Sequence, residues 1–140
     1  HLLRQAEYQY TNMVREQKEQ LSGTGNKEKN PHVRRCKDYI FSHLHDRITI
    51  QEIADFWGMN PGYLSELFHK CEGMSIKNFI LREKIGLAKN MLTYSGYSYI
   101  EIAAYLGFSS QSHLGKQFKK LTGFTLSEYR NTYGVRQFTS

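Results

Sequence analysis

Two cysteines, Cys36 and Cys71, are all that the 140 residues contain. That is too few for a disulfide-stapled secreted scaffold and too few for a zinc site built on thiolates. Both read as reduced thiols of a cytosolic protein, and Cys36 falls on an apolar helix face that makes it core. Only two prolines and a mean hydropathy of −0.61 fit a mostly helical chain. No stretch approaches the ~18 uninterrupted apolar residues of a spanning helix, and the first residues lack the apolar core of a secretory signal. Also missing are a HExxH metal motif, a phosphate-cradling glycine loop, a carboxylate pair and any nucleophile–base arrangement. The expectation is therefore no enzyme, no cofactor and no metal. His43 and His45, two apart on a presumed helix, would point about 200° away from each other, unlike the i, i+4 pair that grips a metal.

What is present is positive charge. Nineteen Lys and Arg against thirteen Asp and Glu give +6, a balance that suits nucleic acid or another anionic surface without proving either. The distribution is uneven. Residues 31–82 carry seven basic and six acidic side chains, whereas residues 83–140 carry seven and three.

Residues 1–21 read as one helix, with Leu3, Ala6, Tyr10, Met13, Gln17 and Leu21 recurring at three- and four-residue steps. Two readings stay open for it. It is a connector helix from a missing regulatory region, or a short dimerising coil weakened by Gln17 at a seam position. The chain opens with His1 rather than Met, which we read as a piece excised from something longer. Residues 22–30, SGTGNKEKN, hold no apolar side chain and read as a flexible linker. A domain over 31–140 then starts at Asn30-Pro31, a good N-cap followed by a residue suited to the first helical position. Val33, Cys36, Ile40, Phe41 and Leu44 give its first helix one apolar stripe.

The rest of the domain holds a repeat. Glu52-Ile53-Ala54 matches Glu101-Ile102-Ala103 at an offset of 49, and Gly58 matches Gly107. After the turn the offset becomes 50: Leu64 pairs with Leu114, Phe68 with Phe118, Lys70 with Lys120 and Gly73 with Gly123. The second turn should be one residue longer. Capping boxes are expected at Thr49–Glu52, Ser98–Glu101 and Thr125–Glu128. Each copy thus reads as short helix, glycine turn, second helix, glycine stop, which is helix-turn-helix grammar. The expected architecture is all-α, two helix-turn-helix subdomains (31–74 and 94–133) joined by a long connecting helix over 75–93. At 1.5 Å per residue that helix is roughly 28 Å long, close to the ~34 Å between successive major grooves. Trp57 reads as core at its helix end, and Tyr39, Tyr105 and Tyr129 fall on packed faces.

Residues 31–133 resemble the DNA-binding domain of the AraC/XylS family of bacterial transcription regulators. The resemblance is carried by EIADFWGMNPGYLSELFHK and, above all, by IAAYLGFSSQSHLGKQFKKLTGFTLSEYR, with its GFSxQS turn, F-K-K, T-G and S-E-Y-R. It implies sequence-specific binding of double-stranded DNA through two recognition helices. It also places Gly62, Ser65 and Glu66 against bases in the first reader, with Asn60, Tyr63 and His69 near the DNA backbone. In the second reader it places Gln111, Ser112, His113 and Lys116 against bases, with Ser110 as the helix cap beside a phosphate and Lys119 and Lys120 on phosphates. Glu66 and Lys116 stand where arginine is common, Lys84 replaces an arginine of the connecting helix, and Leu126 replaces a proline. The implied partners are double-stranded DNA and RNA polymerase, with pairing into a homodimer through residues 1–21 or a regulatory region. The implied location is the bacterial cytoplasm, at the nucleoid. The competing reading is a helical protein-interaction module that contacts RNA polymerase or a sensor domain and binds DNA weakly, favoured by Glu66 and by the absent side chain at Gly62.

Overall fold

A computed structural model describes residues 30–135. The expected helix over 1–21 and the linker up to residue 29 lie outside the described residues. Every regular element described is a helix: α1 (Pro31–Ser42), α2 (Ile50–Trp57), α3 (Pro61–Glu72), α4 (Ile76–Tyr94), α5 (Tyr99–Tyr105), α6 (Gln111–Thr122) and α7 (Leu126–Tyr133). The described residues divide into two compact units, 30–83 and 84–135.

In the first unit α1, α2 and α3 pack on one another. Asn30 starts α1 by accepting from the backbone N–H of His32 at 2.9 Å, with Pro31 next, where no N–H is needed. Val33, Cys36, Ile40, Phe41 and Leu44 of α1 and its following turn are buried with Ile53 and Ala54 of α2, Leu64 and Phe68 of α3, and Ile76 and Phe79 from the start of α4. Phe79 meets Phe41 and Phe68 edge-on. Burial pushes the Cys36 thiol up to about 12, so it stays protonated and unreactive. Trp57, expected in the core, is only half-buried. Its indole stacks under the Arg35 guanidinium at 5.4 Å because it ends α2 at the edge of the unit. Helix α1 stops at Ser42, so His43 and His45 lie beyond it and the helical spacing assumed for them does not apply. His43 is the C-cap, stacked on Tyr39 at 3.9 Å.

In the second unit α5 packs on α6 and α6 on α7. Buried with them are Ile85, Leu87, Ala88, Met91 and Leu92 from the later part of α4, along with Ile102, Ala103, Leu106, Leu114, Phe118 and Leu126. Two cations tie helix ends down. The buried Lys84 ammonium donates to the Leu106 carbonyl at the end of α5. Arg130 donates to the carbonyls of Leu92 at 3.2 Å and Ser95 at 3.1 Å, closing the end of α4, where the helix leaves carbonyls unpaired.

The repeat is visible atom by atom. Gly58 and Gly107 follow their helices with φ of 67° and 77°, a left-handed stop that glycine adopts without a Cβ clash. Met59 N–H reaches back to Ala54 O at 2.8 Å, and Phe108 N–H to Ala103 O at 2.9 Å. Pro61 then opens the next helix three positions after Gly58, and Gln111 opens its helix four positions after Gly107. Of the three expected capping boxes, those at Ser98 and Thr125 are reciprocal. At Thr49 only half forms. The hydroxyl accepts from Glu52 N–H at 3.1 Å, but the Glu52 carboxylate accepts from that hydroxyl at 3.1 Å and not from the Thr49 N–H. The long helix starts one residue later than expected, behind a Ser75 cap that accepts from Asn78 N–H at 3.1 Å, and ends one residue later, at Tyr94.

Candidate nucleic-acid interface

Helix α3 buries Leu64 and Phe68, and at 100° per residue its opposite stripe is Gly62, Glu66 and His69. All three are exposed. Tyr63 stands beside that stripe at 54% exposure, and Ser65, on the flank, is half-buried. Asn60 is the N-cap, its amide oxygen accepting from Tyr63 N–H at 3.0 Å. The blank at Gly62 has a local cause as well, because a Cβ there would lie 3.2 Å from that capping oxygen.

Helix α6 repeats the pattern fifty residues on. Leu114 and Phe118 are buried, and the opposite stripe is Ser112, Lys116 and Lys119, with Gln111, His113 and Lys120 beside it, all exposed. Ser110 caps the helix by accepting from His113 N–H at 3.0 Å, so one of the first-turn donors expected to face a phosphate is already used by the chain. The His113 ring is held in place. Its Nδ1 lies 3.1 Å from the Ser109 hydroxyl, and its edge meets Phe108 at 5.3 Å. Ser109 and Phe108 entered the sequence reading only as part of the GFSxQS turn, not as supports of His113, although a serine four residues ahead of a histidine at a helix start was the available signal. Lys119 sits 4.0 Å from Glu128, an exposed pair that contributes little, and Lys116 has no ion-pair partner among the described residues.

The expected contact residues thus fall into two sets, each gathered on the outer face and first turn of one helix. The two sets differ in charge. Helix α3 carries Glu66 and Glu72 against Lys70, whereas α6 carries Lys116, Lys119 and Lys120 and no acid.

A family model described as a helix-turn-helix domain matches residues 53–132. The chain belongs to the AraC-type helix-turn-helix family. Relatives include the HTH-type transcriptional regulator YobQ of Bacillus subtilis, 36% identical over 94 residues, which cover 67% of this chain and 39% of YobQ. The regulatory protein PocR of Salmonella typhimurium is 32% identical over 103 residues, 71% of this chain and 34% of PocR. The chain therefore spans well under half the length of both relatives. Among solved structures, the C-terminal domain of AraT, a response regulator from Geobacillus stearothermophilus, superposes with a TM-score of 0.75 at 28% identity, over 79% of this chain and 93% of that one. The DNA-binding domain of AdpA, solved with a target DNA, reaches a TM-score of 0.70 over 79% of this chain and all of that one (100%), and at 22% identity this likeness is one of fold. The AraC-type family is one of DNA-binding transcription regulators. Among the described residues no helix is long and apolar enough to cross a membrane.

Proposed function

We propose that this AraC-type chain regulates transcription by reading a bipartite double-stranded site, with α3 and α6 entering successive major grooves of one duplex. A major groove admits one helix, and a helix-turn-helix unit offers the N-terminal part of its second helix to base edges. The observation that carries the reading is the outer face of α6. Ser112, Lys116 and Lys119 stand exposed on one stripe, with Gln111 and a positioned His113 at its N-terminal end. On this reading Gln111, Ser112, His113 and Lys116 meet bases, and Lys119 and Lys120 meet phosphates. Gly62, Ser65 and Glu66 face bases in the weaker first reader, with Asn60, Tyr63 and His69 toward the backbone. The proposed units are 31–74 and 94–133, joined by 75–93.

RNA polymerase is the proposed protein partner, in the bacterial cytoplasm at the nucleoid, with residues 1–21 or a regulatory region pairing two copies. Light scattering with and without residues 1–21 tests that pairing. DNA reading is tested by titrating the chain onto promoter-containing duplex and onto random duplex of equal length. Specific sites of such proteins are bound at least ~1,000-fold more tightly than random sequence, and a ratio of that order is expected. A ratio near one with steep salt dependence contradicts the proposal. It would instead favour a protein-interaction module, a reading that draws on the acidic balance of α3.

A further inference from the structure

Glu66 is out of place on a helix that approaches DNA, since it faces a polyanion. Yet it sits at the middle of the outward stripe of α3, four residues after Gly62 and three before His69, and it is exposed. It has no ion-pair or hydrogen-bond partner among the described residues. Its counterpart in the second reader, fifty residues on, is Lys116. Gly62, one turn earlier on the same stripe, carries no side chain.

We infer that Glu66 is a specificity-determining residue that makes the first half-site demand a cytosine, while Lys116 makes the second demand a guanine. This rests on the reading of α3 as a base-reading helix. The reason lies in what each base shows in the major groove. Guanine presents two acceptors, N7 and O6, and both repel a carboxylate. Thymine presents the O4 acceptor and a methyl group. Adenine offers the N6 donor, but beside the N7 acceptor. Cytosine alone offers a donor, its N4 amino group, with no acceptor next to it on the same base. A carboxylate fixed at that point therefore tolerates cytosine and rejects the other three. Much of its effect is rejection, so it discriminates without adding much affinity. An ammonium at the equivalent point of α6 has the opposite preference, for guanine N7 and O6. The two half-sites are then unlike although the two readers are repeats of one unit.

The test is selection of bound sequences from a random duplex library by the whole chain, run in parallel with Glu66→Ala, Glu66→Gln and Lys116→Ala. The expected wild-type motif has two parts, with a cytosine preferred about tenfold at one position of the part that Lys116→Ala leaves intact. Glu66→Ala should flatten that single position, admitting the other bases while the rest of the motif stays. Glu66→Gln should move it toward adenine, whose N6 and N7 a carboxamide can pair together. The side chain is exposed, so both variants should fold, and helical circular dichroism checks that they do. A two-part wild-type motif whose preferences survive Glu66→Ala overturns the assignment to Glu66 and leaves the DNA-reading proposal standing. Enrichment of no motif at all overturns both.

Discussion

At the scale of single residues, several positions that look like interface features also serve the chain itself. Asn60 and Ser110 cap helices, and Gly62 leaves room for a cap. Two other glycines make the same distinction testable. Gly115 lies inside α6, and a Cβ added there would rest 3.9 Å from Leu126, an ordinary contact. Gly115→Ala should raise stability by about 0.5–1 kcal/mol, since glycine costs that much in a helix interior. Gly58 sits at φ 67°, where alanine is strained, and Gly58→Ala should lower stability by about 1 kcal/mol. Thermal unfolding of both variants checks the opposite signs. Spacing made the second of these positions legible in the sequence, as a glycine just past a helical stripe. It could not reveal the first, because room for a methyl group depends on α7 packing against α6.

At the scale of elements, caps and cations fix the ends of individual helices. The pattern Ser/Thr-x-x-Glu located all three starts, but not which of them would close into a full box. That depends on whether the glutamate reaches the N-cap N–H or, as at Thr49, the hydroxyl. Glu128 does reach it, accepting from Thr125 N–H at 2.8 Å. That bond, seconded by the Thr125 side chain, holds its carboxyl below the usual carboxylate range. A lowered value in the folded state means the stabilisation is complete above the ordinary glutamate pKa of ~4.3 and is lost as pH falls through the lowered value. Urea unfolding of wild type and Glu128→Ala should therefore differ at pH ~6 and converge toward pH ~3. A gap that stays constant with pH contradicts the ionised cap. The role of Arg130 was hidden in the sequence, since its two acceptors lie 38 and 35 residues away. A lysine cannot span both carbonyls with a fixed fork, so Arg130→Lys should cost about 1–2 kcal/mol, measured by denaturant midpoint.

At the scale of the whole molecule, the internal repeat was the most legible feature. Its two offsets, 49 and 50, reappear as matching glycine stops and as a second turn one residue longer. Repetition of fold does not bring repetition of charge. The outer face of α6 is basic, that of α3 is led by Glu66, and the excess of positive charge over residues 83–140 has the same sense. On the proposed reading the second reader supplies most of the attraction to DNA, and Glu66 of the first supplies discrimination with little affinity. The direct measurement is the affinity of wild type, Lys116→Ala and Glu66→Ala for one bound duplex at about 50 and 200 mM salt. Loss of a cation that sits in the groove against a base should weaken binding and lessen its dependence on salt, by less than the full unit of slope that a phosphate contact carries. Lys116→Ala should therefore bind more weakly than Glu66→Ala and depend less on salt, while Glu66→Ala keeps the wild-type slope and tightens on random sequence. The reverse order, with Glu66→Ala the weaker binder and Lys116→Ala unchanged in slope, would contradict the account.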